Sequence, residues 1–265
     1  ALLAPGAISY IYYADRLNQL PLGLIGIGLG TILLPTLSRL LSNDQADEAL
    51  EMQNRGIELA LFLTLPATAA FLSISEPIVR GLFQYGAFSA EDTRATALVL
   101  AAFSLGLPAY VLIKVLTPGY YARSDTRTPV RFALVAIAVN IAGNIALIPT
   151  IGYLGPPIAT AVSAAINAAL LFLTLRKRGQ FKADARLLRR LPRLALAAAI
   201  MGGALALALP LIRPFMAGDM VQRGVTLAVL VAAGGAVYIA ASFLTGAFRL
   251  SDLKALRRRA PQPTS

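Results

Sequence analysis

Residues 10–23 read Tyr-Ile-Tyr-Tyr-Ala-Asp-Arg-Leu-Asn-Gln-Leu-Pro-Leu-Gly. The stretch sets Asp15 and Arg16 at the head of an apolar run, Leu20 to Leu41, interrupted by Pro21 and Pro35. About 20 apolar residues suffice to cross a bilayer as a helix. An acid and a base at such a depth are costly unless they face water, protein or a charged ligand. Two readings follow. Either this helix carries a polar working face that the other helices enclose, or Asp15 and Arg16 sit in a wet loop at the membrane surface.

The rest of the chain agrees with a membrane setting. Of 265 residues, 57% are hydrophobic and 14% charged, and the mean hydropathy is +0.68. That is too apolar for an ordinary soluble domain of this length. There is no cysteine and no histidine. Disulfides, thiol metal sites, histidine acid–base chemistry, HExxH zinc sites and Ser-His-Asp triads are therefore excluded. No paired carboxylates, phosphate-binding glycine loop or nucleophile elbow is present, and no metal or cofactor is expected. The opening Ala-Leu-Leu-Ala-Pro-Gly lacks a basic leader and does not read as a signal peptide. It reads as a chain cut from something longer.

Apolar runs predict seven full transmembrane helices, at about 12–41, 57–84, 94–117, 130–149, 154–175, 194–212 and 224–247. Residues 1–9 read as the end of an earlier helix. Residues 42–55 read as a polar surface segment, 83–93 as a loop, 176–193 as a basic linker and 248–265 as a basic tail. Gly26 and Gly30 have the GxxxG spacing that admits a neighbouring helix. Glu58 and Glu76 read as interfacial.

Charge placement orients these spans. The loops after the first, third and fifth spans and the tail hold 18 of the 24 lysines and arginines, eight of them between Arg176 and Arg193. The alternate side holds four: Arg80, Arg94, Arg213 and Arg223. The positive-inside rule then places the C-terminus in the cytoplasm. It also assigns the net charge of +11 to anionic lipid headgroups beside the spans, and not to nucleic acid.

The candidate binding residues are few. Arg16 is permanently charged and its fork matches paired phosphate oxygens; Asp15 is placed to hold it when no ligand is bound. Lys114 precedes Pro118 and Gly119, which predict a helix break with freed carbonyls. It is either a second charge in a cavity or a lysine reaching for the interface. Asn140 and Asn144, at i and i+4, with Thr160 on the next helix, have oxygens for a small cation or hydrogen bonds between helices.

Four stretches carry a family resemblance: YYADRLNQLPLG (12–23), GTILLPTLSRLLS (30–42), LFQYGAFSAEDT (82–93) and KVLTPGYYARSDTRTPV (114–130). They resemble the MurJ/MviN lipid II flippases of the multidrug/oligosaccharidyl-lipid/polysaccharide (MOP) exporter superfamily. The resemblance implies an all-α, multi-pass protein of the bacterial inner membrane that moves lipid II by alternating access, with no covalent chemistry. It implies that residues 1–175 correspond to the second transport lobe and 194–247 to two extra helices with a groove for the lipid tail. The first lobe, N-terminal in the family, would be the missing partner. It places Arg16 and Asp15 on a cavity-facing pair, and Gln19 where some members carry an acid. Asn144 stands where some relatives place a sodium-binding acid. Two alternatives stay open: an exporter of other lipid-linked sugars or drugs, and a non-transporting membrane scaffold. A membrane enzyme fits least.

Overall fold

The computed structural model describes residues 6–247 and is entirely helical over them. Helix α1 spans Ala7–Ser42, α2 Ala46–Phe83, α3 Ala90–Ser104 and α4 Leu107–Tyr121. Helix α5 spans Arg127–Ile151, α6 Gly155–Lys177, α7 Ala185–Ile212 and α8 Met220–Leu244. Single 3₁₀ turns at Gly152–Leu154 and Phe215–Ala217 join α5 to α6 and α7 to α8. The basic tail from 248 lies outside the described residues.

Among the described residues, six stretches are long and apolar enough to cross a membrane. One of them, 127–177, consists of α5 and α6 folded back on each other at the Gly152–Leu154 turn. A second, 90–121, is one span broken into α3 and α4. The chain runs up and down. At one end Tyr10 bonds Asp92 and stacks edge-on with Tyr153, while Arg223 bonds the Gln84 carbonyl. At the other, Asn54 bonds the Lys182 carbonyl, Arg178 pairs with Asp125, and Arg193 bonds the Gly246 carbonyl.

Several boundaries differ from the sequence expectation, each for a physical reason. Ala7 to Ser9 are the first turn of α1 itself, not the end of an earlier helix. Residues 42–55, polar and helix-prone in sequence, largely form helix α2, but Ala49, Gln53 and Asn54 are buried and not at the surface. Helix α7 begins at Ala185, so only 178–184 connects it to α6. Pro118 and Gly119 do not break α4. Pro118 lies in its last turn, where one lost bond costs little, and Gly119 lets Gln53 of α2 approach: a Cβ there would lie 2.5 Å from Gln53 Nε2.

The break falls instead at Leu105–Gly106, before Pro108. Proline has no N–H to give the Ser104 carbonyl four residues back. That carbonyl accepts from Thr68 Oγ1 of α2 at 3.3 Å. Pro66 frees the Phe62 carbonyl in the same way, and Tyr238 of α8 donates its hydroxyl to it at 2.8 Å. In lipid, backbone polar groups have no water to turn to, and at these two prolines a side chain from a neighbouring helix takes the place of the lost N–H.

Two apolar cores hold the bundle. One joins Leu17 of α1, Ile74 and Val79 of α2, Val99 and Leu100 of α3, Met201 and Leu205 of α7 and Leu230 of α8. The other joins Leu33, Ile57, Val115, Leu116, Leu171 and Leu187. Helices α7 and α8 thus share a core with α1–α3. Helix α5 packs mainly on α6 and turns Leu134, Ile137, Ile141 and Ile145 outward, as a lipid-facing helix does.

Candidate functional site

The polar face of α1 sits where α1 crosses α4. Asp15 and Arg16 are neighbours in sequence, so their side chains leave the helix about 100° apart. No ion pair joins them. Gln19, one turn on, donates to Asp15 Oδ2 instead. Arg16 is exposed and lies over the Tyr12 ring, 4.9 Å from its centroid. It has no carboxylate partner among the described residues. Asp15 therefore does not hold Arg16; the aromatic face does, leaving the guanidinium hydrogens outward.

Lys114 faces α1. Its Nζ lies 3.4 Å from the Leu22 carbonyl, and its chain crosses Gly26 so closely that a Cβ there would lie 2.8 Å from Lys114 Cδ. Gly26 thus makes room for a lysine side chain, while Gly30 has open space beside it; the GxxxG pair admits no second helix backbone. Arg16 and Leu22 are about 9 Å apart along the axis at about 1.5 Å per residue. One turn before Lys114, Tyr110 lies within electrostatic reach of Asp15. Its hydroxyl is buried without a hydrogen-bond partner, over Gly106 at the α3–α4 break. Asp15, Gln19, Tyr110 and Lys114 thus meet at the α1–α4 crossing, while Arg16 leaves α1 beside it, about 100° from Asp15, and is exposed. The Arg16 guanidinium can hold an anion bearing several oxygens.

The second candidate group is assembled. Asn140 Nδ2 donates to Thr160 Oγ1 at 3.1 Å, joining α5 to α6. Asn144 Nδ2 donates to the Asn140 carbonyl at 2.8 Å and to Asn140 Oδ1 at 3.1 Å, and Thr160 donates to the Pro156 carbonyl at 2.7 Å. Of these bonds, that of Asn140 with Thr160 joins the two helices, and the others fix its partners within their own helices.

One cluster departs from the sequence reading. Glu58, read as interfacial, is buried where α2 meets α7. It accepts from Arg55 one turn back and from Arg190, itself buried, and lies 3.4 Å from Arg186 Nε. Arg55 also pairs with Asp184. Its members come from 55–58 and 184–190, and the signal open to inspection was an acid flanked by apolar residues. Glu76 pairs with Arg80 at 2.7 Å and stays half-exposed, as read. Arg178 and Arg193 are also bound within the protein. Arg176, Lys177, Lys182 and Arg189 are left as the exposed cations of 176–193.

The geometry has counterparts among known proteins. A family model, "Lipid II flippase MurJ", matches residues 1–226. A probable lipid II flippase MurJ of Rhizobium meliloti (strain 1021) is 47% identical over 262 residues, 98% of this chain and 49% of the relative. One from Vibrio cholerae is 39% identical over 96% of this chain and 48% of the relative. A solved structure, "Lipid II flippase MurJ, inward closed conformation", superposes with a TM-score of 0.73 at 26% identity, covering 91% of this chain and 47% of that one. The chain spans about half the length of the curated relatives it matches.

Proposed function

This chain belongs to the lipid II flippase MurJ family, and from that premise we propose that it forms the second transport lobe of a lipid II flippase. The observation that carries the proposal is Arg16. It is an exposed guanidinium without a carboxylate partner among the described residues, on a helix apolar enough to cross a membrane. Lipid II joins its headgroup to its polyprenyl tail through a pyrophosphate. A planar fork of N–H donors fits paired phosphate oxygens better than an ammonium.

Alternating access follows from the placement. Residues 1–175 would rock against a first lobe about a headgroup held near Arg16, while the tail stays in lipid along the helices of 194–247. No bond is made or broken in the substrate. With 127–177 counted as two crossings, the chain crosses the bacterial inner membrane seven times. The loops 122–126 and 178–184 and the C-terminus then lie in the cytoplasm, where Arg176, Lys177, Lys182 and Arg189 meet anionic lipid heads. Asn140, Asn144 and Thr160 serve α5–α6 packing in this reading, through the Asn140–Thr160 bond between the two helices.

The test is transfer of lipid II between leaflets of reconstituted vesicles. Transfer is expected when this chain is joined to a first lobe and absent with residues 1–265 alone. Transfer by the latter would refute the two-lobe mechanism, and no transfer by the former would refute the flippase reading.

A further inference from the structure

A cleft of about 380 Å³ opens at the end of the bundle where α1, α2 and α3 meet. Gly6, Ser9, Tyr10 and Tyr13 line it from α1, and Phe83, Tyr85, Phe88 and Asp92 from across it. Binding pockets run from about 300 to 1,000 Å³. This one has room for one ring with its substituents, not for two sugars and a peptide. Its walls are aromatic: Tyr13 packs against Phe83 at 4.9 Å and edge-on against Phe88 at 5.4 Å, and Tyr85 stands exposed at the rim.

Its polar group is Asp92. Oδ1 accepts from the Tyr10 hydroxyl at 2.9 Å, and Oδ2 accepts from the Ser89 amide and hydroxyl, each at 2.8 Å. A carboxylate has about four acceptor positions. Three are used, and the fourth, on Oδ1, is free for one more donor. The group is fixed in place, because Ser89 and Asp92 form the capping box that starts α3. Aromatic faces for the apolar side of a ring, with a rigid carboxylate for a hydroxyl, suit a pyranose. They do not suit a phosphate, which a carboxylate repels.

The position selects which pyranose. Ser9, Tyr13 and Arg16 follow i, i+4, i+7 spacing and share one face of α1. Tyr13 lies about 4.5 Å and Ser9 about 10 Å further along the axis than Arg16. In a lipid-linked glycan the first sugar is bonded directly to the pyrophosphate. We propose that this aromatic cleft is a sugar subsite, holding the pyrophosphate-linked aminosugar of the substrate while Arg16 holds the pyrophosphate. The inference rests on the lipid II reading given above.

The test compares two lipids, lipid II and undecaprenyl pyrophosphate, binding to full-length protein in nanodiscs, with plain anionic phospholipid as the reference. The unmodified protein is expected to hold lipid II about tenfold more tightly than undecaprenyl pyrophosphate. Tyr13→Leu removes an aromatic wall. Ala87→Trp, at an exposed lining residue, fills the cleft without removing any packing. Both are expected to bring lipid II down to the level of undecaprenyl pyrophosphate and leave the latter unchanged. If Tyr13→Leu does not fold, Ala87→Trp decides alone. Unchanged discrimination in folded Ala87→Trp, or a parallel loss for both lipids, overturns the subsite. If neither lipid binds the unmodified protein above the phospholipid reference, it is the lipid II reading that falls.

Discussion

Arg16 and Glu58 show two fates of a charge within an apolar helix. Arg16 has only the Tyr12 ring for company, so its hydrogen-bonding capacity is left for a ligand. A hydrogen bond to a charged group contributes about 1.5–3 kcal/mol. Arg16→Ala in full-length protein is therefore expected to weaken lipid II binding by roughly ten- to a hundred-fold, with normal yield of folded protein. Arg16→Lys should recover only part of the loss, because an ammonium has no fork. Equilibrium binding and yield from the same samples check this, and unchanged affinity in folded Arg16→Ala would end the contact claim. Glu58, in contrast, is fully engaged by arginines. Glu58→Gln leaves Arg190 buried without its carboxylate, and breaking a buried pair costs about 3–5 kcal/mol. A clear fall in thermal unfolding temperature in detergent is expected, with Glu58→Asp milder.

At the scale of elements, what was legible was what is local. The apolar runs fall in the six stretches apolar enough to cross a membrane, since a helix must expose side chains as apolar as its solvent. Arg16 could be singled out because the expense of its charge is visible in the sequence alone. The α3–α4 break was misplaced because a proline's effect depends on who receives the freed carbonyl, and Thr68 is 36 residues from Ser104. The burial of Glu58 was not legible because its partner Arg190 is 132 residues away. The tie between the α4–α5 connection and the end of α6 is also nonlocal, and it has a pH signature. Asp125 accepts from the Thr128 hydroxyl at 2.6 Å, from Arg178 at 2.7 Å and from the Thr128 amide at 3.0 Å. These bonds, that of the Thr128 hydroxyl first, hold its carboxyl well below the usual carboxylate range. A depressed folded value stabilises the fold above the unfolded value of about 4. That contribution shrinks as the pH falls below about 4 towards the folded value. Asp125→Asn should lower stability at neutral pH and flatten its decline below pH 4. Thermal melts at pH 7 and pH 3 test the sign, and parallel declines in both proteins would refute it.

For the whole molecule, orientation can be tested without first removing native thiols, since the chain has no cysteine. Ala217 and Lys182 are exposed at opposite ends of the bundle. With Cys at 217, a membrane-impermeant maleimide should label intact cells; with Cys at 182, it should label only opened ones. The reverse result would invert the assigned topology. The same up-and-down path separates two kinds of surface. The end holding 178–184 is basic and cross-tied by ion pairs, whereas the end holding 84–89 is lined with aromatic rings.

The Glu58 cluster joins parts of the chain that are made at different times. Synthesis runs from the N-terminus at about 5–20 residues per second, so roughly 7–26 s separate Glu58 from Arg190. During that interval the acid already lies within an apolar helix while its later partners do not yet exist. Arg55, three residues upstream, is its one companion of the same age. In the finished fold Arg55 also pairs with Asp184, so the acid's early and late partners are tied together beside α7.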